Sequence, residues 1–312
     1  MKNDLAIKDG LSHIERYASK EEVQSCIDAI HEIACSTDDR SPNGAYLVLS
    51  ECFSALSLKS LIKEKNVVEA KKYANMSSHT MRLVVQLKPY EQAYSQGFDL
   101  LYPLLSDNSD LIHWHSQYQL SNFILDRKSP RVLNPEKYEY HSAQPRIAMQ
   151  KDWETLVERS EFILKNPPKK NKYYIVDHQF YLALAKGDTV LMEQAIYELV
   201  SPKIARHRNK ELQWGIERRL INGWGLILAK LAYHLGYELD IDSPWIPQEW
   251  LPVQPLENYN LPYDFLSDFD LFTPFEPKDG VWCGDVARFS PRPLCQAPLS
   301  FNEIKEMLGA YP

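Results

Sequence analysis

The chain has 312 residues, with 35 Lys+Arg against 42 Asp+Glu, for a formal net charge of −7. From Glu238 to Asp285 eleven acids meet one base, Lys278, for a local −10, while the other 264 residues hold 34 bases and 31 acids, a net of +3. A nucleic-acid binder needs basic excess over its working surface, so that class is disfavoured, and 44% hydrophobic with 25% charged residues is the balance of a globular protein with a sizeable core.

Eleven glycines leave little scope for the turns of an all-β fold, and helical spacing dominates. Leu11, Ile14 and Tyr17 form a first amphipathic stretch, and Val23, Ile27, Ile30 and Ile33 a second. Ser41-Pro42-Asn43-Gly44 is a start signal for a longer helix through Tyr46, Leu49, Phe53, Leu56 and Leu58. Residues 67–86 predict another. Pro89 and Tyr90 open a helix towards Leu101 that Pro103 is expected to interrupt, and 111–125 is helical again.

Between 126 and 147 the periodicity fails, and Pro130, Pro135 and Pro145 mark a long connection. It divides an N-terminal helical part, 1–125, from a C-terminal one, 148–239, within what reads as one compact unit. Residues 148–164 predict a helix with Trp153, Leu156 and Phe162 inward. Next comes a hairpin: a helix ending at Gly187, then Asp188 and Thr189 capping a helix over 190–200. Residues 212–235 predict the longest apolar helix, central in the fold, with Gly223 and Gly225 inside it where a neighbour packs close. The cluster Lys203, Arg206, His207, Arg208 and Lys210, followed by Glu211 and Glu217 at helical spacing, reads as a charged helix surface.

From 240 to 312 the texture changes. Seven prolines lie between Pro244 and Pro277, which forbids long helices, and the accompanying aromatics are too many for a disordered tail. The expectation is an ordered strap that buries aromatics against the helices and leaves carboxylates outside, ending in a short helix over 301–308. The fold class expected is therefore all-α: antiparallel helical hairpins in a helical-repeat-like bundle with an irregular C-terminal segment.

No catalytic residue, cofactor site or metal site is read from the sequence. Nucleotide-binding glycine loops, the nucleophile elbow and the zinc-protease motif are all missing. His113 and His115 diverge by about 200° on a helix and lack partners at metal spacing. Asp240 with Asp242, and Asp268 with Asp270, could take a hard cation, but a solvated acidic face is the commoner meaning of such pairs. The five cysteines form no disulfide framework and the N-terminus does not read as a signal peptide. The most apolar run, 220–237, carries Lys230 and His234, so no membrane span is expected. A cytoplasmic location follows as the expectation.

Three blocks are familiar: the apolar run Trp224–Tyr237, then Asp242-Ser-Pro-Trp-Ile-Pro-Gln-Glu-Trp-Leu-Pro252, then Tyr263-Asp-Phe-Leu266. With the upstream Phe180-Tyr-Leu-Ala-Leu-Ala-Lys-Gly-Asp188, they resemble the immunity protein 49 family of bacterial polymorphic toxin systems over roughly 149–266. That resemblance implies an all-α protein without catalytic residues that binds and neutralises a cognate toxin. The residues add a possible interface of their own over 264–279. Phe269, Phe272 and Phe275 would be anchors, and Asp264, Asp268, Asp270, Glu276 and Asp279 would supply the field that draws in a partner with a basic surface, such as a nuclease groove. The same phenylalanines could equally be core, and the acids could meet the chain's own basic cluster. Two other classes stay open: a helical-repeat scaffold or peptide-binding module, and an enzyme whose site the fold assembles from groups such as His113, His234 or Cys283.

Overall fold

The computed structural model describes residues 4–35, 42–87, 98–122, 133–208, 215–217 and 219–267. Among these residues the protein is all-α, with no strand. The first four helices are α1 (Asp4–Tyr17), α2 (Lys20–Cys35), α3 (Asn43–Ile62) and α4 (Val67–Leu87). The hairpin α3–α4 is the most extensive helix pairing, with α1 and α2 laid against α3.

Serines let α3 and α4 approach closely. Ser57 donates to the Ala70 carbonyl at 2.7 Å, and Ser54 and Ser50 reach Ser77 at 2.8 and 3.1 Å. By length and composition α3 could cross a membrane, but Leu49, Cys52, Phe53, Ala55, Leu58 and Leu61 on it are buried inside the fold. It is a core helix here.

A 3-10 turn, Phe98–Leu100, leads into α5 (Leu101–Ser106) and α6 (Ser109–Asn122). Pro103 does not interrupt a helix. It occupies the first turn of α5, where its missing N–H costs no helical hydrogen bond. The connection expected over 126–147 is also shorter than it reads. Residues 138–142 and 144–149 form α7 and α8, and Tyr140, His141, Ala143 and Ile147 on them are buried.

Next come α9 (Trp153–Lys165), α10 (Ile175–Lys186), α11 (Thr189–Leu199) and α12 (Pro202–Arg208). Asp152 caps α9 by accepting from the Thr155 N–H at 3.2 Å. Leu156 is inward, but Phe162 is 46% exposed, against expectation. The Gly187–Asp188 punctuation holds in detail. Gly187 is left-handed at φ +70°, its N–H meets the Leu184 carbonyl, and the Asp188 N–H meets that of Ala183. The Asp188 carboxylate then accepts from the Leu191 N–H at 3.0 Å to start α11.

The apolar helix is the largest departure. Instead of 212–235 it is α13 (Gly223–His234), capped by the Asn222 side chain on the Gly225 N–H at 2.9 Å. Gly215 and Arg219 are left-handed, at φ +60° and +70°, so the chain turns before the helix begins. Gly223 and Gly225 therefore sit in a first turn, not in a helix interior. Close packing is nonetheless what Gly225 serves: a Cβ there would lie 2.8 Å from Val200 Cγ1 and 3.2 Å from Ile246 Cδ1. Gly225→Ala is expected to cost about 1–3 kcal/mol by overpacking, read as a shift in the urea midpoint. A neutral result would mean that Val200 and Ile246 move aside freely.

One core cluster runs from Ile14 on α1 through α3, α4, α5 and α8–α13 to Leu251, so buried contacts cross from the N-terminal helices to the C-terminal ones. A second joins α2, α3 and α4 through Val23, Ile27, Leu49, Phe53 and Val84, and Leu266 from the strap completes it.

Candidate functional site

The strap is described from Asp240 to Ser267, with a 3-10 turn at Gln248–Trp250 and a last helical turn, α14 (Asp264–Ser267). It buries Ile241, Ile246, Trp250, Leu251 and Leu266, while Asp240, Asp242, Glu249 and Glu257 are exposed. Aromatic and aliphatic residues inward with acids outward is the arrangement the composition predicts. Tyr263 stacks on Phe53 with ring centroids 6.0 Å apart, and Phe265 packs against Tyr46 at 5.8 Å. The Tyr263-Asp-Phe-Leu266 block is thus a staple onto α3.

What fastens the strap is a buried ionic cluster at the end of α5. Asp107 is left-handed at φ +58° and fully buried. Its carboxylate meets Lys71 Nζ at 2.7 Å, Lys230 Nζ at 2.6 Å and His234 Nε2 at 3.1 Å. Both lysines also donate to strap carbonyls: Lys71 to Gln254 at 2.7 Å, and Lys230 to Leu251 and Pro252 at 3.1 Å each. The Gln254 N–H returns to Asp107 at 3.0 Å. Trp250 Nε1 donates to the Leu105 carbonyl, and the Tyr259 hydroxyl to that of Ser106.

Burial alone would raise the Asp107 pKa, but the bonds to His234, Lys230 and Lys71 outweigh it and hold the carboxyl at about 2. Burial pulls Lys230 down to about 8 against the attraction of Asp107. Every member of this cluster is engaged with another or with backbone, so it clamps the strap and offers no open position to a substrate. His234, one of the groups considered for catalysis, is spent here; His113 is exposed on α6, and Cys283 lies outside the described residues.

A second polar cluster holds the C-terminal helices together. His141 and His178 face each other at 2.9 Å, His141 stacks on Tyr174, and Gln144 reaches His178 at 3.2 Å. Burial pushes the His141 pKa down to about 3 and holds that of His178 well below its ordinary value, so both rings are neutral near pH 7. His115 of the His-Trp-His pair is buried against the Ser78 carbonyl at 3.1 Å, and its pKa is likewise pushed down by burial to about 4. Among the described residues no group of three or more His, Cys, Asp or Glu converges on a common point that could hold a metal ion.

The basic cluster does not behave as a charged helix surface throughout. Lys203 and Arg206 are outward, but Arg208 is buried, paired with Asp177 at 2.6 Å and laid over Tyr174. Glu217 is also buried, accepting from the Tyr102 hydroxyl at 2.5 Å. Among the described residues no ion pair joins the strap's exposed acids to this cluster.

Of the interface residues expected from the sequence, Asp268, Phe269, Asp270, Phe272, Phe275, Glu276 and Asp279 lie outside the described residues. Asp264 begins α14, and its side chain is also outside what is described. The acidic surface that is described lies further upstream, where the strap crosses α11. The Asp240 N–H donates to Glu193 at 2.8 Å. The Asp242 N–H donates to the Tyr197 hydroxyl at 2.7 Å, and that hydroxyl donates to the Asp240 carbonyl at 3.3 Å.

Residues 108–250 match the family described as Immunity protein 49. The family matched is the one the sequence resembles, over a stretch running from the turn before α6 to Trp250. The immunity protein 49 match begins earlier than the resemblance traced from 149, and it stops before the Tyr263–Leu266 staple. It takes in α11, the upstream half of the strap and Lys230 with His234, but not Lys71 or Asp107. Comparison with curated proteins and with solved structures returns no significant match.

Proposed function

We propose that this chain is an immunity protein that neutralises a cognate bacterial toxin in the cytoplasm by direct protein–protein contact, not by chemistry. The observation that carries the reading is the family match over 108–250. The surface supports it. The matched stretch presents exposed carboxylates at Glu238 and, on the strap, at Asp240, Asp242 and Glu249, upstream of the backbone that the Asp107 cluster fastens. Exposed carboxylates suit a toxin with a basic surface, such as the phosphate-binding groove of a nuclease, because opposite fields speed capture and fix orientation.

The test is co-expression with the product of the adjacent open reading frame. Cells carrying both are expected to grow where the toxin alone kills, and the two proteins are expected to co-purify. Continued killing with both present, at normal levels of this chain, overturns the reading.

A further inference from the structure

α11 has two apolar faces. At 100° per residue, Met192, Ala195, Ile196 and Leu199 share one arc, and all four are buried. Val190, Leu191, Gln194, Tyr197 and Glu198 share the opposite arc of about 120°. On it Val190 is 59% exposed, Leu191 48% and Tyr197 40%. Large apolar side chains exposed singly need no explanation, but three on one arc of an eleven-residue helix do.

The fold has already built this helix its buried stripe, so the second stripe is surplus to stability. Tyr197 is also fixed in place. Its hydroxyl is clamped between the Asp242 N–H and the Asp240 carbonyl, which leaves the ring a rigid, half-exposed plate at the seam between helix and strap. A pinned tyrosine beside aliphatic neighbours is the composition of an interface anchor.

The charge around the arc says what kind of surface it meets. α11 and the strap edge hydrogen-bonded to it hold four carboxylates, Glu193, Glu198, Asp240 and Asp242, and no Lys or Arg, with Lys186 and Lys203 lying beyond the two ends of the helix. A second copy of the chain would bring like charge against like charge, which disfavours self-association through this face.

We propose that the outward arc of α11 and the adjoining strap edge (Val190, Leu191, Tyr197, Glu198, Asp240 and Asp242) form the surface that docks the partner. The partner presents an apolar cleft rimmed by Lys and Arg. This assignment rests on the immunity reading above and gives that reading a location, upstream of the segment 264–279 favoured by the sequence alone.

The experiment uses the full chain and the purified toxin domain encoded beside it, with binding followed by surface plasmon resonance. Leu191→Arg and Tyr197→Ala are each expected to weaken Kd by about 100-fold, the scale of a truncated anchor. The thermal unfolding of Leu191→Arg should match wild type, since Leu191 is outside the core. Tyr197→Phe, which keeps the ring and loses the clamp, should retain most of the affinity. Asp240→Asn with Asp242→Asn should slow association about tenfold at low ionic strength and little at high salt.

If wild type binds the toxin and Leu191→Arg binds equally well, this face is not the docking surface, while the immunity reading stands. Wild type that neither binds nor protects sinks the immunity reading, and this assignment with it. A wild-type dimer that Leu191→Arg converts to monomer in sedimentation assigns the face to self-association and overturns the proposal.

Discussion

Replacing Asp107 with Asn is expected to destabilise the protein by about 3–5 kcal/mol, the scale for removing one partner of a buried ion pair. The carboxylate stands between two ammonium groups, Lys71 and Lys230, that are themselves almost wholly inaccessible. Asn keeps the volume and some of the hydrogen bonding but leaves two buried positive charges facing each other. The strap should feel it first, because both lysines and Asp107 bond directly to backbone between Leu251 and Gln254.

Urea unfolding by tryptophan fluorescence reads the loss, and Trp250 reports on the strap directly. A shift below about 1 kcal/mol would mean that the strap is held by apolar burial alone. The acid limb supplies an independent check. Asp107 sits at about 2 in the fold, below its ordinary value of 3.8. A depressed carboxyl contributes stability that is complete above the unfolded value and is lost as pH falls through the folded one. Wild type should therefore lose about 2–3 kcal/mol from this group between about pH 4 and pH 2. Asp107→Asn should lack that component, and the gap between the two proteins should narrow across the same window.

That cluster also marks how far the sequence could be read. Helices α1–α4 and the α10–α11 hairpin follow from apolar spacing and local punctuation, as at Gly187 and Asp188, where the signal and its structural consequence lie within a few residues. The Asp107 cluster joins residues from α4, the end of α5 and α13, and no local pattern ties Lys71 to Lys230. One clue was present. Lys230 sits in the middle of an otherwise apolar helix, where it tells against a membrane span but equally requires a buried counter-charge.

The acidity of the strap was legible as charge alone. The second apolar arc of α11 was legible in principle, since Met192, Ala195, Ile196 and Leu199 make a complete buried stripe without Val190, Leu191 or Tyr197. Capping signals show where a helix starts, not which of two apolar faces goes inside. The over-long helix expected at 212–235 failed for a related reason. Apolar texture continues through Ile216, Leu220 and Ile221, all buried, while the backbone at Gly215 and Arg219 has already left the helical region.

Replacing Arg208 with Ala should be comparably damaging, again by about 3–5 kcal/mol. Arg208 belongs by sequence to a run of solvent-facing bases, yet its guanidinium lies 3.8 Å from the Tyr174 ring centroid and 4.5 Å from that of Trp224, and it pairs with Asp177 at 2.6 Å. Truncation removes two cation–π contacts and abandons a carboxylate that is itself deeply buried. Burial already raises the Asp177 pKa despite Arg208. Without the arginine Asp177 should take up a proton, so the deficit of Arg208→Ala should shrink as pH is lowered, a direction a purely steric defect would not show.

Arg208→Lys should recover little, because a point charge reproduces neither the planar stacking nor the fork. The double variant Arg208→Met with Asp177→Leu separates the two components. If most of the loss is the stranded carboxylate, the double variant should be markedly more stable than Arg208→Ala alone, since a buried pair replaced by apolar groups of similar volume is often neutral. If it is no better, the guanidinium's contacts with Tyr174 and Trp224 carry the stability. The ion pair would then matter only for holding α12 in register against α10.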